Sequence, residues 1–357
     1  MEQRLVKKLT LAFVLLCTAI CISLCFLPQF TRWASQRIAF YRALQEEARM
    51  REEMSALELM RVHEQEISNV IREKLGESIR MAYMDEGKLS DVIIEEDYLG
   101  HEISIFFPGL SESSLNQYPI IGSTKHLKDM KVTEQDGGLR VAFVTDVIVE
   151  PVLAKRKGFC YVTLKEPAEL YDKIVVVDAG HGGKMPGAVI AGVKEKTINL
   201  QIVKQLKKLM DGEKGVKVYY TRLSDRHVEL ENRVGLANEL KADLFISVHQ
   251  NALGTRYSSV RGTQVLYSES NHGKKNSKKL AQLFLQKTVQ AFQSEDKGLV
   301  KGDRIYIIRN SKVPVSLVEV GFMTNQTELK RLANTAIQKK VAKGIHDGIM
   351  EALQKGY

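Results

Sequence analysis

Residues 174–183 read IVVVDAGHGG, and this stretch decides how the second half of the chain folds. The apolar run at 174–177 predicts a buried strand. The strand would end near Asp178, and His181 follows among three glycines, which permit close backbone approach and positive φ. Taken alone, the stretch is compatible with a phosphate-binding loop, an ordinary turn histidine or a metal ligand.

Strand-like and helix-like segments alternate around that stretch, from Tyr171 to the end of the sequence. Such alternation predicts an α/β fold with a largely parallel sheet flanked by helices. The predicted strands are IVVVDA, VKVYYT, DLFISVH, GTQVLYS, RIYIIR and VSLVEVG. The predicted helices cover residues 195–211, 229–240, 274–293 and 334–354. We expect residues 169–357 to form a domain that folds on its own.

Three of the predicted strands end in a side chain suited to metal or acid–base chemistry. His181 follows the first of them, His249 closes DLFISVH and Glu319 closes VSLVEV. Ligand sites gather at the carboxyl ends of strands in such sheets, so these residues should lie together. Glu195, at the start of a predicted helix, is a fourth candidate. Two imidazoles and one carboxylate suit Zn²⁺, and the other carboxylate could then transfer protons. The residues alone leave open which glutamate has which role.

Each candidate also has an ordinary structural interpretation. Glu195 could complement the helix dipole, and His249 could be a core histidine. Glu319 fits such an interpretation less well, because an unpaired carboxylate is costly to bury. Their joint occurrence at strand ends favours the metal site, whereas His227 and His272 lie in polar loops and are not expected to bind metal. DAGHGG lacks the GxGxxG and GKS/T patterns, which argues against a phosphate loop.

The N-terminal segment at 9–27, LTLAFVLLCTAICISLCFL, carries no charge and is long enough to span a bilayer. No convincing cleavage site follows it, so we expect residues 1–35 to form a retained anchor and its tail. Basic residues flank the segment on both sides, so the tail is cytoplasmic only if the function places the rest of the chain outside. Three of the four cysteines lie in this segment and only Cys160 lies outside it. The remainder therefore has neither an internal disulfide nor a CxxC zinc motif, and a metal would have to use histidines and carboxylates.

Two further regions separate the anchor from the α/β region. Residues 36–82 are rich in Arg, Glu, Met, Leu and Ala, and they predict a helical stalk. The stalk has no clean heptad repeat, so we expect at most weak self-association through it. Residues 83–168 change to short runs of period two between turns, which predict a small antiparallel β domain.

Six motifs occur in a specific order in the second half of the chain: VVVDAGHGG, PGAVIAGVKEKTINL, TRLSD, RVGLAN, SVHQNA and VEVGFMTN. With them the chain resembles the zinc-dependent N-acetylmuramoyl-L-alanine amidases of the Amidase_3 type over about half its length. The resemblance implies that His181, Glu195 and His249 bind zinc and that Glu319 is the catalytic carboxylate. The preceding β region resembles, more diffusely, the AMIN-type modules found ahead of cell-wall amidases.

Two arginines and one alanine complete the comparison with that family. Arg222 and Arg233 match family positions, but we assign them no role from the sequence. Ala179 stands where many members have proline, which changes the stiffness of the turn and not its ligands. The short segment after His249 leaves no room for the inserted helix that blocks the zinc in some members.

The resemblance implies a peptidoglycan hydrolase that cuts the amide between N-acetylmuramic acid and L-alanine of the stem peptide. Its substrate would place the catalytic domain on the extracytoplasmic side of the cell membrane, with a single membrane pass. Residues 171–357 carry 31 Lys and Arg against 18 Asp and Glu, a net charge of +13 that suits an anionic wall. A nucleic-acid partner is not expected, because no reader motif is present. The alternatives are a zinc peptidase acting within the stem peptide and a non-catalytic wall-binding scaffold.

Overall fold

The computed structural model describes residues 7–20, 42, 45–46, 49–51, 54, 76–83, 89–254, 256–269 and 277–357. The chain divides into two units, Met1–Gly76 and Glu77–Tyr357. In the first unit, residues 7–20 are helical. Across the described residues, no helix combines the length and the apolar character that a membrane span requires. The predicted anchor at 9–27 and the predicted stalk at 36–82 both extend outside the described residues.

Antiparallel strands build the first part of the second unit. The described strands there are β1 (Ile79–Ala82), β2 (Ile93–Asp97), β3 (Glu102–Pro108), β4 (Ile121–Gly122), β5 (Leu127–Gln135), β6 (Gly138–Thr145), β7 (Glu150–Arg156) and β8 (Phe159–Lys165). They form two four-stranded sheets, ordered β4–β1–β8–β7 and β2–β3–β6–β5, around one hydrophobic core. Alternate residues of β6, such as Val141 and Phe143, are fully buried, as period two requires.

This antiparallel β region begins earlier than the sequence predicts. Strand β1 lies inside residues 36–82, which we assigned to the stalk, and it pairs with both β4 and β8. Four residues are too few to display a period-two pattern, so only the pairing reveals this strand. A short 3₁₀ turn at Leu89–Asp91 and helix α1 (Glu112–Gln117) connect strands of this region.

A six-stranded sheet forms the centre of the second half. Helix α2 (Pro167–Leu170) leads into its strands, which are β9 (Lys173–Ala179), β12 (Val216–Tyr220), β13 (Leu244–Asn251), β14 (Thr263–Tyr267), β15 (Asp296–Lys301) and β16 (Val315–Phe322). Their order is β12–β9–β13–β16–β14–β15. Two short strands, β10 (Val189–Ile190) and β11 (Val193–Lys194), form a separate hairpin after β9.

The sheet is mixed, although most of its strand pairs are parallel, as the predicted largely parallel sheet requires. Strands β12, β9, β13 and β16 are parallel to one another, but β14 pairs antiparallel with β16. A parallel return needs a crossover of a dozen or more residues, usually a helix. The described residues between β13 and β14 contain no helix, so the chain reverses direction there. Strand β15 is again parallel to β14, after a helical crossover.

Helices cover both faces of this sheet, as the alternating pattern predicts. They are α3 (Glu195–Met210), α4 (Leu230–Glu239), α5 (Ser277–Phe292), α6 (Tyr306–Asn310), α7 (Gln326–Leu332) and α8 (Thr335–Lys355). Buried side chains of α3, α5 and α8 pack in one core cluster, and those of α4 and α6 pack in another. The four predicted helices agree with α3, α4, α5 and α8 to within three residues at each end.

One predicted strand is wrong. The segment RIYIIR forms helix α6, and the sixth strand is instead β15. Ile307 and Ile308 are both buried in the cluster that lies against β13 and β16. Successive side chains of a strand point to opposite faces, so only a helical turn lets both isoleucines reach the same core.

The antiparallel region and the mixed sheet share buried residues. Ile148, which precedes β7, is 4% exposed and belongs to the same cluster as Ile174, Tyr219 and Phe245 of the sheet. Beside it, the Glu150 carboxylate accepts hydrogen bonds from Tyr219 Oη at 2.6 Å and from Lys217 Nζ at 2.7 Å. The two regions are therefore joined by a common hydrophobic core and by a buried polar group.

Candidate metal centre

The turn after β9 brings a histidine into close contact with the neighbouring strand. His181 adopts a left-handed φ of 63°, and Gly182 and Gly183 also have positive φ values. A Cβ atom on Gly180 would lie 2.3 Å from the ring of His249. Only glycine therefore lets the backbone pass this close to the second imidazole. This close approach explains the glycine that precedes His181.

Two adjacent strands and the first residue of a helix bring the other three candidate site residues close to His181. His249 in β13 and Glu319 in β16 are direct partners in the parallel register. Glu195 is the first residue of α3, which follows the β10–β11 hairpin. The rings of His181 and His249 meet edge to face, with centroids 4.9 Å apart. The expectation that strand ends would gather these side chains agrees with the structure.

His181, Glu195 and His249 place ligand atoms around a common point. His181 Nε2 lies 3.1 Å from Glu195 Oε2, and His249 Nδ1 lies 2.9 Å from Glu195 Oε1. One ligand atom from each residue lies within 4.8 Å of the others. Two ligand atoms on a tetrahedral zinc ion are about 3.4 Å apart, given bonds of about 2.0–2.1 Å. The three side chains therefore fit a small divalent cation with little adjustment.

Glu195 is held as an anion by its surroundings. Its Oε1 accepts hydrogen bonds from the backbone N–H of Gln250 at 3.1 Å and from Asn199 Nδ2 at 3.3 Å. Its Oε2 accepts a bond from the backbone N–H of Ala188 at 3.0 Å. Burial alone would raise the pKa of this carboxyl, but hydrogen bonds from both imidazoles outweigh burial and hold the pKa well below its usual range. A fixed, ionised carboxylate is suited to binding a cation.

Glu319 lies in a different environment from Glu195. Its Oε2 atom is buried and has no hydrogen-bond partner among the described residues. Burial raises the pKa of Glu319 to about 7, although the nearby His249 acts in the opposite direction. A carboxyl group that titrates near neutral pH can both accept and donate a proton. A buried oxygen without a partner also fits a site that is completed by a ligand.

A cavity of about 570 Å³ opens over these residues. Its lining includes His181, His249 and Glu319 together with an apolar wall. Members of that wall are Leu230, Leu266, Ile305, Ile307 and Leu317. His227 also lines the cavity, but it is not part of the described cluster of ligand atoms. His272 lies outside the described residues.

The sequence prediction missed a buried charged network behind the metal ligands. Asp178 is fully buried and accepts hydrogen bonds from Arg233 Nη1, Thr221 Oγ1 and Ser247 Oγ. Arg222 and Arg233 are 1% and 3% exposed. Charged residues are almost never this buried without partners. The arginines of TRLSD and RVGLAN can therefore be recognised as part of the site only when their burial is known.

Known proteins share the part of the chain that holds this site. The N-acetylmuramoyl-L-alanine amidase family, Amidase_3, matches residues 175–351. The uncharacterized protein YqiI of Bacillus subtilis (strain 168) is 36% identical over 184 residues, which are 52% of this chain and 85% of that protein. The germination-specific N-acetylmuramoyl-L-alanine amidase of the same organism is 31% identical over 196 residues, with 51% and 80% of the two chains covered.

Among solved structures, the catalytic domain of CwlV, an N-acetylmuramoyl-L-alanine amidase from Bacillus (Paenibacillus) polymyxa var. colistinus, is 36% identical. The match covers 51% of this chain and 98% of that one, with a TM-score of 0.48. The family match at residues 175–351 includes His181, Glu195, His249 and Glu319. The chain belongs to the N-acetylmuramoyl-L-alanine amidase family.

Proposed function

We propose that this chain is a zinc-dependent peptidoglycan hydrolase that cleaves the amide between the lactyl group of N-acetylmuramic acid and L-alanine. The observation that carries the proposal is the convergence of ligand atoms from His181, Glu195 and His249, next to the cavity that His181, His249 and Glu319 line. Membership of the amidase family supports the reaction class.

We propose that His181, Glu195 and His249 hold the metal. Two imidazole nitrogens and one carboxylate form the ligand set of catalytic zinc sites, which keep one position open. When bound, zinc would polarise the scissile carbonyl and lower the pKa of water toward about 7. The hydrogen bonds from Gln250 and Asn199 fix the Glu195 carboxylate in place for this purpose.

Glu319 is proposed to transfer protons during the reaction. It lies beside His249 in the register of the sheet and lines the same cavity. With a pKa of about 7 it would accept a proton from the attacking water and deliver it to the leaving amine nitrogen. Protonation of that nitrogen is needed because an amine anion is a very poor leaving group.

The setting of the enzyme is also part of the proposal. The uncharged segment at 9–27 would anchor the chain in the cell membrane, and the stalk, from residue 36 to the start of β1, would allow weak self-association. The catalytic region, net charge +13, would then lie on the extracytoplasmic side, where an anionic wall attracts it. Protease digestion of intact protoplasts tests this: residues beyond 82 should be cut, and their protection would contradict the proposed topology.

Paired glutamine variants test the roles of the two glutamates. In Glu319→Gln zinc should stay bound, while the rate should fall by roughly 10² to 10⁴ because the proton acceptor is lost. In Glu195→Gln zinc content itself should fall. Metal analysis is combined with an assay for free L-alanine amino groups released from purified wall.

The possible results separate the proposed reaction from its alternatives. Metal lost from Glu319→Gln and kept by Glu195→Gln would reverse the two roles but keep the zinc hydrolase. Mass spectrometry of the digested wall that showed cuts between stem-peptide residues would indicate a peptidase instead. A zinc-loaded wild-type protein that binds wall and releases nothing would indicate a scaffold.

A further inference from the structure

Two buried guanidinium groups donate hydrogen bonds to three consecutive carbonyl oxygens of the histidine turn. Arg222 Nε donates to Ala179 O at 2.8 Å, and Arg222 Nη2 donates to Gly180 O at 2.9 Å. Arg233 Nη1 donates to Ala179 O at 2.9 Å, and Arg233 Nη2 donates to His181 O at 2.8 Å. The backbone that presents His181 is therefore fixed at each residue from 179 to 181.

Arg222 also connects this turn to the helix that carries Glu195. Its Nη2 atom donates a second hydrogen bond, at 2.9 Å, to the carbonyl oxygen of Lys196. Lys196 directly follows Glu195 in α3. One guanidinium plane thus sets the position of the His181 turn relative to the start of the Glu195 helix. The planar fork of arginine can do this, whereas a lysine ammonium offers no fixed plane.

Arg233 connects the same turn to the strand that carries His249. Its Nη1 atom lies 2.5 Å from Asp178 Oδ1. Asp178 Oδ2 accepts a hydrogen bond from Ser247 Oγ at 2.6 Å, and Ser247 lies two residues before His249 in β13. The two arginines therefore reach all three elements that supply the proposed metal ligands.

The environment of Arg222 indicates a geometric role. Burying a guanidinium is costly unless its donors are satisfied. Arg222 is 1% exposed, and its four hydrogen bonds all go to carbonyl oxygens, the fourth being to Ser224 O. His181 meanwhile has a left-handed φ, which a residue with a Cβ adopts only when the surrounding structure fixes it. The carbonyl contacts supply that constraint.

We propose that Arg222 and Arg233 are positioning residues that set the metal-binding geometry of His181, Glu195 and His249. The two guanidinium groups with the carbonyl oxygens of residues 179–181 are called the guanidinium clamp below. The inference rests on the proposed zinc site, and it adds a role to two residues that do not themselves reach the metal.

Charge-keeping substitutions test the clamp. Arg222→Lys keeps the positive charge but loses the planar fork, and Arg233→Lys keeps a charge beside Asp178. Each should weaken zinc binding by about 10- to 100-fold, the usual effect of disturbing groups that orient metal ligands. Zinc affinity is measured by competition with a chromophoric chelator on the full chain. The absorption bands of the Co²⁺-substituted protein report the ligand geometry independently of activity.

Arg331→Lys is the matched control. Arg331 likewise donates to backbone carbonyl oxygens, those of Phe292 and Gln293, but it lies outside the metal cavity. The control should keep the wild-type zinc affinity and Co²⁺ spectrum even where its melting temperature falls. A purely structural role for the clamp would instead give all three lysine variants the same behaviour toward metal.

The outcomes distinguish this inference from the proposed function. A wild-type protein that binds no zinc would refute the proposed function, and the clamp with it. Wild-type zinc binding that persists unchanged in both clamp variants, with an unchanged Co²⁺ spectrum, would overturn the clamp alone. Failure of both variants to fold, with or without zinc, would also overturn it, because the arginines would then serve the fold as a whole.

Discussion

The hydrophobic core shared by the antiparallel region and the mixed sheet lets us predict how much a substitution at Ile148 destabilises the protein. Ile148 belongs to the first region, yet its buried side chain lies in the cluster formed by residues of the sheet, such as Val176 and Phe245. Its backbone N–H also donates to Glu239 Oε1 at 3.0 Å, at the end of α4. If this contact joins the two regions, a cavity at Ile148 should destabilise both of them together.

Ile148→Ala removes three carbon atoms from this junction. Such changes in a packed core cost roughly 2–5 kcal/mol, because lost burial adds to the cavity left behind. At about 2 °C per kcal/mol for a unit of this size, the melting temperature should fall by roughly 4–10 °C. None of the four proposed site residues belongs to the hydrophobic cluster that holds Ile148, so we expect zinc content at 25 °C to be unchanged.

Calorimetry on the full chain measures this effect. Ile93→Ala is the matched control, since Ile93 lies in the same antiparallel region but is 54% exposed, and its removal should cost no more than about 0.5 kcal/mol. We expect Ile148→Ala to lower the transition of the α/β region. The shared core would be refuted if Ile148→Ala lowered only a separate transition of the β region. It would also be refuted if Ile148→Ala and Ile93→Ala had the same melting temperature.

The same contact changes what we expect of a fragment beginning at residue 169. The sequence suggests that this fragment folds on its own, because no strand pattern crosses the boundary. In the structure, Glu150 accepts hydrogen bonds from Lys217 and Tyr219 of the sheet, and the fragment would lose that buried acceptor along with Ile148. Breaking a buried pair by removing one partner is strongly destabilising. The fragment should therefore be much less stable than the full chain.

The remaining predictions concern the proposed metal ligands and two histidines that we do not expect to bind metal. His181→Ala, Glu195→Ala and His249→Ala should each lose zinc and amidase activity, as measured by metal analysis and wall digestion, because a three-ligand site has no spare donor. Stoichiometric zinc with near-normal turnover in any one of them would remove that residue from the site. His227→Ala and His272→Ala should keep wild-type zinc content, and loss of zinc from either would add a ligand that we have not assigned.

Local patterns were enough to predict the strands and helices that carry the site. The apolar run before Asp178 became β9, and the helix predicted at residues 195–211 became α3, whose buried face includes Ile198, Ile202 and Leu206. Segments whose state depends on distant partners were not predictable in this way. RIYIIR is rich in β-branched residues, yet it forms a helix because both Ile307 and Ile308 find the same core.

The direction of β14 shows a second limit. The sequence GTQVLYS predicts a strand but carries no mark of its direction. Direction follows from the connection, since the described residues between β13 and β14 include no helix that could return the chain to a parallel position. Loop length was therefore the available signal.

Some residues of the site could likewise be predicted from the sequence, and others could not. His181, His249 and Glu319 were predictable because each lies at or near the carboxyl end of an apolar strand, and these strand ends meet at one edge of a sheet. The roles of Arg222 and Arg233 were not predictable, because arginine in a sequence is most often a solvated surface residue. Their burial and their hydrogen bonds to residues 179–181 distinguish these two from the other basic residues that the structure describes.

The two glutamates illustrate why the sequence alone cannot show which carboxylate binds the metal and which transfers protons. Both are carboxylates near two histidines, and either assignment satisfies the motif. Their surroundings differ: Glu195 accepts bonds from two backbone N–H groups and one amide, whereas Glu319 Oε2 has no partner in the described residues. Hydrogen bonds to the charged form favour an anion that stays ionised, while burial without them favours a group that exchanges protons near neutral pH. The first environment suits a metal ligand and the second suits a proton carrier, which is why we assign Glu195 to the zinc and Glu319 to the chemistry.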